Sequence, residues 1–342
     1  MSSSSVEHDL TAHGLAFLER SVTSMRGSDE RGALFAIVDL AVAIEALLKA
    51  RLVREHWSLI CADPDKTTHT KFETGQAKTV STAQAVRRLE GIAGLPMTAL
   101  GHNKRIDQIS ALRNRAVHFT VPAGDSSIGL RTAYGHALNF ALWLLDEEFR
   151  QGVDHDTEVL VDEVIENLST EVRHFEGLVS DRMTMITETL EQADICLECP
   201  RCEQPALMFN EHHEWVYCGY CLWSPEDGSV AAEEYVEAVL QLSLYRVIKD
   251  GDGEDGWPVW ECPKCAIVAL VSGVQQKRPD PRHPRSTGYD AIMPAYWACF
   301  QCGWSGPAGA LEHCAICNAV AEGDTDGTTI CVNCVAARVG ED

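Results

Sequence analysis

Twelve of the fourteen cysteines stand in six Cys-x-x-Cys pairs between residues 199 and 334, and one short segment carries Arg113-Asn114-x-x-x-His118. Each pattern implies its own chemistry. A Cys-x-x-Cys turn aims two thiolates at one metal ion, and a second turn closes a tetrahedral four-sulfur site with no open position, which makes such a site structural. The simplest partition is Cys199, Cys202, Cys218, Cys221; then Cys262, Cys265, Cys299, Cys302; then Cys314, Cys317, Cys331, Cys334. The spacers of 15, 33 and 13 residues suit hairpins of the zinc-ribbon kind, so three structural Zn²⁺ sites are expected. Interleaving among the last four pairs satisfies the same count, as does His212, His213 or His313 in place of a cysteine, or Cys196 in place of Cys199. Cys61, far from the pairs and without a nucleophile or redox motif around it, reads as a small buried apolar residue.

The second pattern suits phosphodiester chemistry. On a helix, Asn114 and His118 lie four residues apart on one face with Arg113 one step round, so guanidinium, amide and imidazole border one polar notch. Arginine clamps phosphate oxygens in pairs, and a histidine titrating near neutrality can take or give a proton during attack by a ribose 2′-hydroxyl. Lys104 and Arg105 stand at the start of the same segment, where the helix dipole disfavours cations, so they and Arg115 are candidate RNA contacts.

The elements that must position these residues follow from periodicity. From Ala33 to about Trp57, Ile37, Leu40, Ala41, Ile44, Leu47, Leu48 and Leu52 recur at three- and four-residue steps, which predicts a long amphipathic helix. Similar segments follow at about 81–92, 104–118 and 128–150, a short helix is expected near 7–20, and the polar stretch 63–79 reads as a loop. Residues 156–193, acidic and without proline, read as a solvated helical connector. After Cys196 the texture changes to short aromatic segments with an internal repeat: Cys199-Pro-Arg-Cys202 with Cys218-Gly-Tyr-Cys221-Leu-Trp223-Ser224 parallels Cys262-Pro-Lys-Cys265 with Cys299-Phe-Gln-Cys302-Gly-Trp304-Ser305. The expected fold is multidomain, an N-terminal all-α helical bundle followed by small, mainly β zinc-ribbon modules. Its divisions are 1–151 for the bundle, 152–195 for the acidic connector, 196–228 for ribbon 1, 229–250 for a linking helix, 251–308 for ribbon 2 and 309–342 for ribbon 3. Trp215, Trp223, Trp257, Trp260, Trp297 and Trp304 either cover the metal sites or, with the basic loop 277–285, form a recognition surface.

Charge narrows the partners. The chain of 342 residues carries a net −23, which argues against indiscriminate binding to a nucleic-acid backbone. That average hides a gradient: residues 1–151 balance 17 basic against 17 acidic side chains, residues 152–195 hold 2 against 12, and residues 196–342 hold 9 against 22. Within 66–131, ten lysines and arginines face four acidic residues, so an anionic substrate belongs there. No stretch reads as a membrane span or as a basic, apolar leader, so a soluble cytoplasmic protein with no membrane partner is expected.

Residues 30–150 resemble the HEPN domain family (higher eukaryotes and prokaryotes nucleotide-binding). The likeness rests on the long early helix Asp39-Leu-Ala-Val-Ala-Ile-Glu45-Ala-Leu-Leu-Lys49 and the late Arg113-Asn114-x-x-x-His118 motif. It covers about a third of the chain. The resemblance implies a bundle that dimerises to bring two motifs into one cleft and, in active members, a metal-independent endoribonuclease leaving 2′,3′-cyclic phosphate ends. Arg113, Asn114 and His118 would be the catalytic residues, with Glu45 and Asp39 as acidic support from the early helix. On this reading the chain is a toxin or anti-phage defence effector acting on RNA as a homodimer, with an antitoxin or a trigger protein as further candidate partners and the ribbons as sensing or docking modules. The alternative is a non-catalytic dimeric adaptor that binds protein or nucleic acid through its ribbons.

Overall fold

The computed structural model describes residues 3–26, 30–118, 127–150, 152–212, 215–243, 257–277, 295–322 and 329–339. His213 and residues 278–285 of the basic loop lie outside them. The chain divides into two compact units, Met1–Thr184 and Met185–Asp342. Among the described residues no helix is long and apolar enough to cross a membrane.

The first unit is built from helices. α1 (Ser3–Arg26) and α2 (Glu30–Glu55) pack along their length. Arg54 binds Glu7, Gly14 meets Leu47 and Arg20 binds Asp39, so the two run antiparallel. Gly14 permits this approach, because a Cβ there would stand 2.8 Å from Leu47 Cγ. α1 is thus much longer than the segment expected near 7–20, since Leu15, Leu18, Val22 and Met25 continue its buried stripe against α2. The stretch 63–79 holds a short helix, α3 (His69–Glu73), capped by Thr68. α4 (Thr82–Ile92) opens with a reciprocal capping box between Ser81 and Gln84. α5 (His102–His118) carries the Arg-Asn-x-x-x-His motif, and α6 (Ser127–Glu148) runs through the core with Tyr134, Leu138, Phe140, Leu144 and Leu145 fully buried.

Residues 155–184 belong to this first unit rather than to a solvated connector. α7 (His155–Ser169) lays Val161, Val164, Ile165 and Leu168 into the interior, where each contributes roughly 1.5–3 kcal/mol. Its register on α1 is set by His8 Nδ1 at 2.8 Å from Thr157 Oγ1 and by Asn167 donating to Glu19 at 2.9 Å. The acidic residues occupy the outer face. After a single 3₁₀ turn at Val172–His174, α8 (Glu176–Met185) brings Asp181 and Arg182 back to the bundle.

The second unit opens with α9 (Thr187–Gln192) and holds three antiparallel sheets. β1 (Ile195–Leu197), β2 (Leu207–Asn210) and β3 (Trp215–Cys218) form the first, in that order. β4 (Val259–Glu261), β5 (Val268–Gln275), β6 (Ala295–Cys299) and β7 (Ser305–Pro307) form the second. β8 (Leu311–His313) pairs with β9 (Val320–Glu322), and α11 (Val332–Val339) closes the described chain. The first two sheets and α10 (Gly228–Ala238) share one core: the Phe300 ring lies 5.0 Å from Phe209 and 5.0 Å from Tyr235. The helix expected as a link between independent ribbons is therefore part of their packing. Gly228 and Gly303 mark the closest approaches, where added Cβ atoms would meet Gln301 and Asn210 backbone at 2.6 Å.

Candidate functional sites

α5 is held to the bundle by one stripe and displays the motif beyond its end. His102, Ile106 and Ile109 are buried at four- and three-residue steps, and Arg113 falls where that stripe would continue. Its stem is therefore carried toward α2 and its head meets Glu45, Nη2 to Oε2 at 3.8 Å, with about a third of the side chain exposed. Nη1 donates to Asn114 Oδ1 at 3.0 Å. Glu45 also accepts from Lys49 Nζ at 2.6 Å and from Thr82 Oγ1 at 3.5 Å, while Lys49 reaches Thr79 Oγ1 at 3.0 Å. The notch thus holds two cations and one carboxylate drawn from α2 and α5, with a hydroxyl from α4, so its charged groups sum to one positive charge. His118, the last residue of α5, is exposed one helical turn beyond Asn114. Chemically, this face can present guanidinium and ammonium donors to a phosphate with an imidazole nearby.

Other expected members are placed differently. Asp39 lies on the α1 side of α2, six residues from Glu45, and accepts Arg20 through both carboxylate oxygens at 2.7 and 2.6 Å. Arg105 turns inward: it grips Asp181 at 3.2 and 2.9 Å and donates to Leu100 O at 2.7 Å. Asp181 also accepts from Asn139 at 2.5 Å and faces His136 at 3.3 Å. Burial alone would raise the Asp181 carboxyl, but the bonds from Arg105 and Asn139 outweigh it and hold the group below its ordinary range. Lys104 and Arg115 are exposed on α5. Lys49 and Thr82 carry no motif of their own: the four-residue step from Glu45 points to Lys49, whereas Thr82 arrives only through tertiary packing.

At the foot of the same helix, His102 is sealed between aromatic rings, its centroid 4.1 Å from Trp143 and 5.0 Å from Phe140. Its Nδ1 faces Arg105 Nη1 at 3.5 Å, and its buried Nε2 has no hydrogen-bond partner. Burial first, and the Arg105 charge second, push its pKa down to about 4, so the ring stays neutral.

In the second unit the cysteines gather in three groups of four, Cys199/202/218/221, Cys262/265/299/302 and Cys314/317/331/334, with all ligand atoms of a group within 4.8 Å of one another. Tetrahedral coordination at about 2.3 Å per sulfur requires sulfur pairs about 3.8 Å apart. The observed Cys199–Cys221, Cys202–Cys218, Cys262–Cys302, Cys265–Cys299 and Cys317–Cys331 separations are 3.8, 3.6, 3.9, 3.7 and 3.5 Å, so the donor set fits a four-thiolate metal ion. Burial pushes the Cys199 and Cys202 thiols up, whereas at Cys218 hydrogen bonds from the other three thiols outweigh burial and hold the group down. Cys196 stands apart, donating to Leu190 O at 3.5 Å, and Cys61 is buried. His212 and His313 are in none of the three groups.

Five of the six pairs share one turn. The residue after the second cysteine is left-handed in each: Glu203, Leu222, Ala266, Gly303 and Asn318, with φ of 60, 68, 58, 71 and 59°. Each donates its N–H to the carbonyl of the first cysteine, at 2.9, 2.9, 2.8, 3.0 and 2.9 Å. For Leu222 and Ala266 that conformation costs on the order of 1–2 kcal/mol, a strain that a bound ion can offset. The sixth pair, Cys331 and Cys334, instead opens α11. Of the six tryptophans, Trp223, Trp297 and Trp304 are buried, whereas Trp215, Trp257 and Trp260 are half-buried. The His313 ring lies 4.5 Å from Trp260.

No family model matches the chain, and no curated protein or solved structure matches it either.

Proposed function

We propose that the chain is a cytoplasmic, metal-independent endoribonuclease of the HEPN kind, acting as a homodimer, with three structural Zn²⁺ sites in modules that sense or dock a partner. The observation that carries the reading is the exposed end of α5, where Arg113 is hydrogen-bonded to Asn114 and faces the Glu45 carboxylate at 3.8 Å, and His118 stands one turn beyond. A guanidinium bonded to an amide and drawn toward a carboxylate is already partly oriented when a phosphate arrives. In the reaction His118 takes the 2′-hydroxyl proton, the 2′-oxygen attacks phosphorus, and the 5′-oxygen leaves with a proton from the second copy's imidazole. The products are a 2′,3′-cyclic phosphate and a 5′-hydroxyl. Arg113 stabilises the added negative charge at phosphorus and Asn114 keeps the guanidinium in place. Glu45 positions Arg113; Asp39, held by Arg20, and Arg105, held by Asp181, serve the bundle instead. Lys104 and Arg115 supply phosphate contacts along the helix.

Zinc is the metal best suited to four thiolates at these separations, and it takes no part in cleavage. The test is incubation of the purified protein with total RNA and tRNA in EDTA, beside His118→Ala and Arg113→Ala. Cleavage to cyclic-phosphate ends that both substitutions abolish is expected. RNA left whole by the unsubstituted protein would remove the ribonuclease reading.

One observation favours a second reading, an adaptor. Around the third cysteine group Ile316, Ile330, Val332 and Val335 are exposed, Val332 to 82%, an apolar surface suited to protein docking. On that reading RNA stays intact and substitutions at these four positions abolish binding to a partner.

A further inference from the structure

The three cysteine groups differ in how far solvent reaches them. Cys199, Cys202, Cys218 and Cys221 are all buried; in the second group Cys265 and Cys302 are half-buried beside buried Cys262 and Cys299. The third group is the open one, with Cys317 exposed and Cys334 half-buried. The cause is local. Residues 218–223 around the second turn of the first group are buried throughout, whereas residues 315–319 around Cys317 are exposed throughout. Of the third module's apolar side chains Leu311 and Val320 are buried, but Ile316, Ile330, Val332 and Val335 face outward. A module with so small an apolar interior depends on its metal ligands to stay folded.

A cysteine that binds zinc is already deprotonated, so exposure decides which sulfur a hydroperoxide meets. Cys331 Sγ stands 3.5 Å from Cys317 Sγ, the place of a resolving thiol. Cys202 and Cys218 are nearly as close at 3.6 Å, yet both are buried, so access rather than proximity separates the groups. We propose that the third cysteine group is a hydroperoxide-sensitive site in which Cys317 reacts, Cys331 resolves, and the zinc of this module alone is released. The Cys317 sulfur attacks one peroxide oxygen, the O–O bond breaks and hydroxide leaves, giving a sulfenic acid. The Cys331 thiolate then attacks the Cys317 sulfur, an S–S bond forms and a second hydroxide leaves. Two thiolates are thus oxidised by two electrons, and one hydrogen peroxide is reduced to two hydroxides. Cys314 and Cys334 remain as two of the four ligands and no longer close a tetrahedral site. The proposal rests on the zinc reading of this group and is independent of Arg113 and His118.

The test treats the full-length, zinc-replete protein with hydrogen peroxide, follows released zinc with a chromogenic chelator, and locates disulfides by mass spectrometry after the remaining thiols are alkylated. One zinc per chain is expected to leave at least about ten times faster than the other two, with Cys317 bridged to Cys331 and the first group's four thiols still alkylated. Cys317→His keeps a metal ligand and removes the oxidisable sulfur, so it is expected to hold three ions and lose the fast phase. The mapped bridge in the unsubstituted protein decides the matter whether or not that variant folds. Fewer than three ions before peroxide is added, with the third group empty, would remove the zinc reading and the proposal together. Three ions at the start that leave jointly, leave first from another group, or leave with the first bridge elsewhere would overturn the proposal alone.

Discussion

Acid should release the helix that carries the motif before it affects the rest of the first unit, through His102. In the folded chain this imidazole is buried between Trp143 and Phe140 with its pKa down to about 4, whereas in the unfolded chain it returns to 6.5. Between those values the unfolded state binds a proton that the folded state refuses, so stability is full above pH 6.5 and falls as pH drops toward 4. The difference of about 2.5 pH units corresponds to roughly 3 kcal/mol, a large share of the 5–15 kcal/mol that holds a typical protein together. Asp181 contributes in another window, because its lowered pKa makes its stabilisation disappear only below 3.8. The assay is hydrogen–deuterium exchange of peptides covering residues 102–118 at a series of pH values, for the unsubstituted protein and for His102→Phe. This substitution keeps an aromatic ring between its neighbours and removes the titration, and comparison at equal pH cancels intrinsic exchange rates. Protection in the unsubstituted protein should fall by about two orders of magnitude relative to the variant between pH 6.5 and 4. Parallel pH profiles would refute the assignment of the acid response to His102.

Three further outcomes are expected. Metal analysis should find three zinc ions per chain, and stripping them with a chelator should abolish the near-ultraviolet signal of the second unit's tryptophans while far-ultraviolet helicity from the first unit persists. Arg105→Ala should cost roughly 2–3 kcal/mol in chemical denaturation by leaving Asp181 half-buried without its cation, whereas Lys104→Ala should leave stability unchanged and lower only the salt dependence of RNA binding. Gly303→Ala combines a left-handed backbone with a Cβ 2.6 Å from Asn210 O, so it should lower metal content at the second group, read as zinc per chain, while Gly94→Ala, with nothing within 4 Å of the added Cβ, should leave metal content unchanged.

What was legible in the sequence was local. The cysteine groups follow from Cys-x-x-Cys spacing because a turn of four residues decides where both sulfurs point, and α2, α4, α5 and α6 follow from the three- and four-residue recurrence of apolar side chains. What was not legible was tertiary. Arg105 read as a phosphate contact because its partner Asp181 lies 76 residues away, and nothing in either segment announces the pair. Asp39 and Glu45 looked alike on one helix; only the neighbours separate them, Arg20 of α1 claiming the first and Arg113 of α5 meeting the second. The acidic stretch after residue 155 reads as solvated from its charge alone, yet its stripe of Val161, Val164, Ile165 and Leu168 covers the bundle while the carboxylates face outward. The left-handed residues after the cysteine pairs are not legible in the sequence, because Glu, Leu and Ala do not favour that conformation as Gly and Asn do.

Charges that serve the fold differ in their pairing from charges left for a ligand. Arg20, Arg54 and Arg105 each meet a carboxylate closely matched in distance and orientation, so a phosphate would have to displace a pair that already works. At the α5 notch the balance is different: Lys49 draws Glu45 toward itself through Oε1 at 2.6 Å, and Arg113 is left facing Oε2 at 3.8 Å, too long for a strong bond. A phosphate oxygen approaching Arg113 therefore gives up little and gains a bidentate partner, while Glu45 and Asn114 keep the guanidinium from swinging away. An asymmetry follows. Lys49→Met should free Glu45 to close on Arg113, raising the concentration of RNA needed for half-maximal cleavage while leaving the chain folded. If that variant cuts RNA with unchanged dependence on substrate concentration, Arg113 is not the phosphate clamp and the notch is an ordinary surface ion pair.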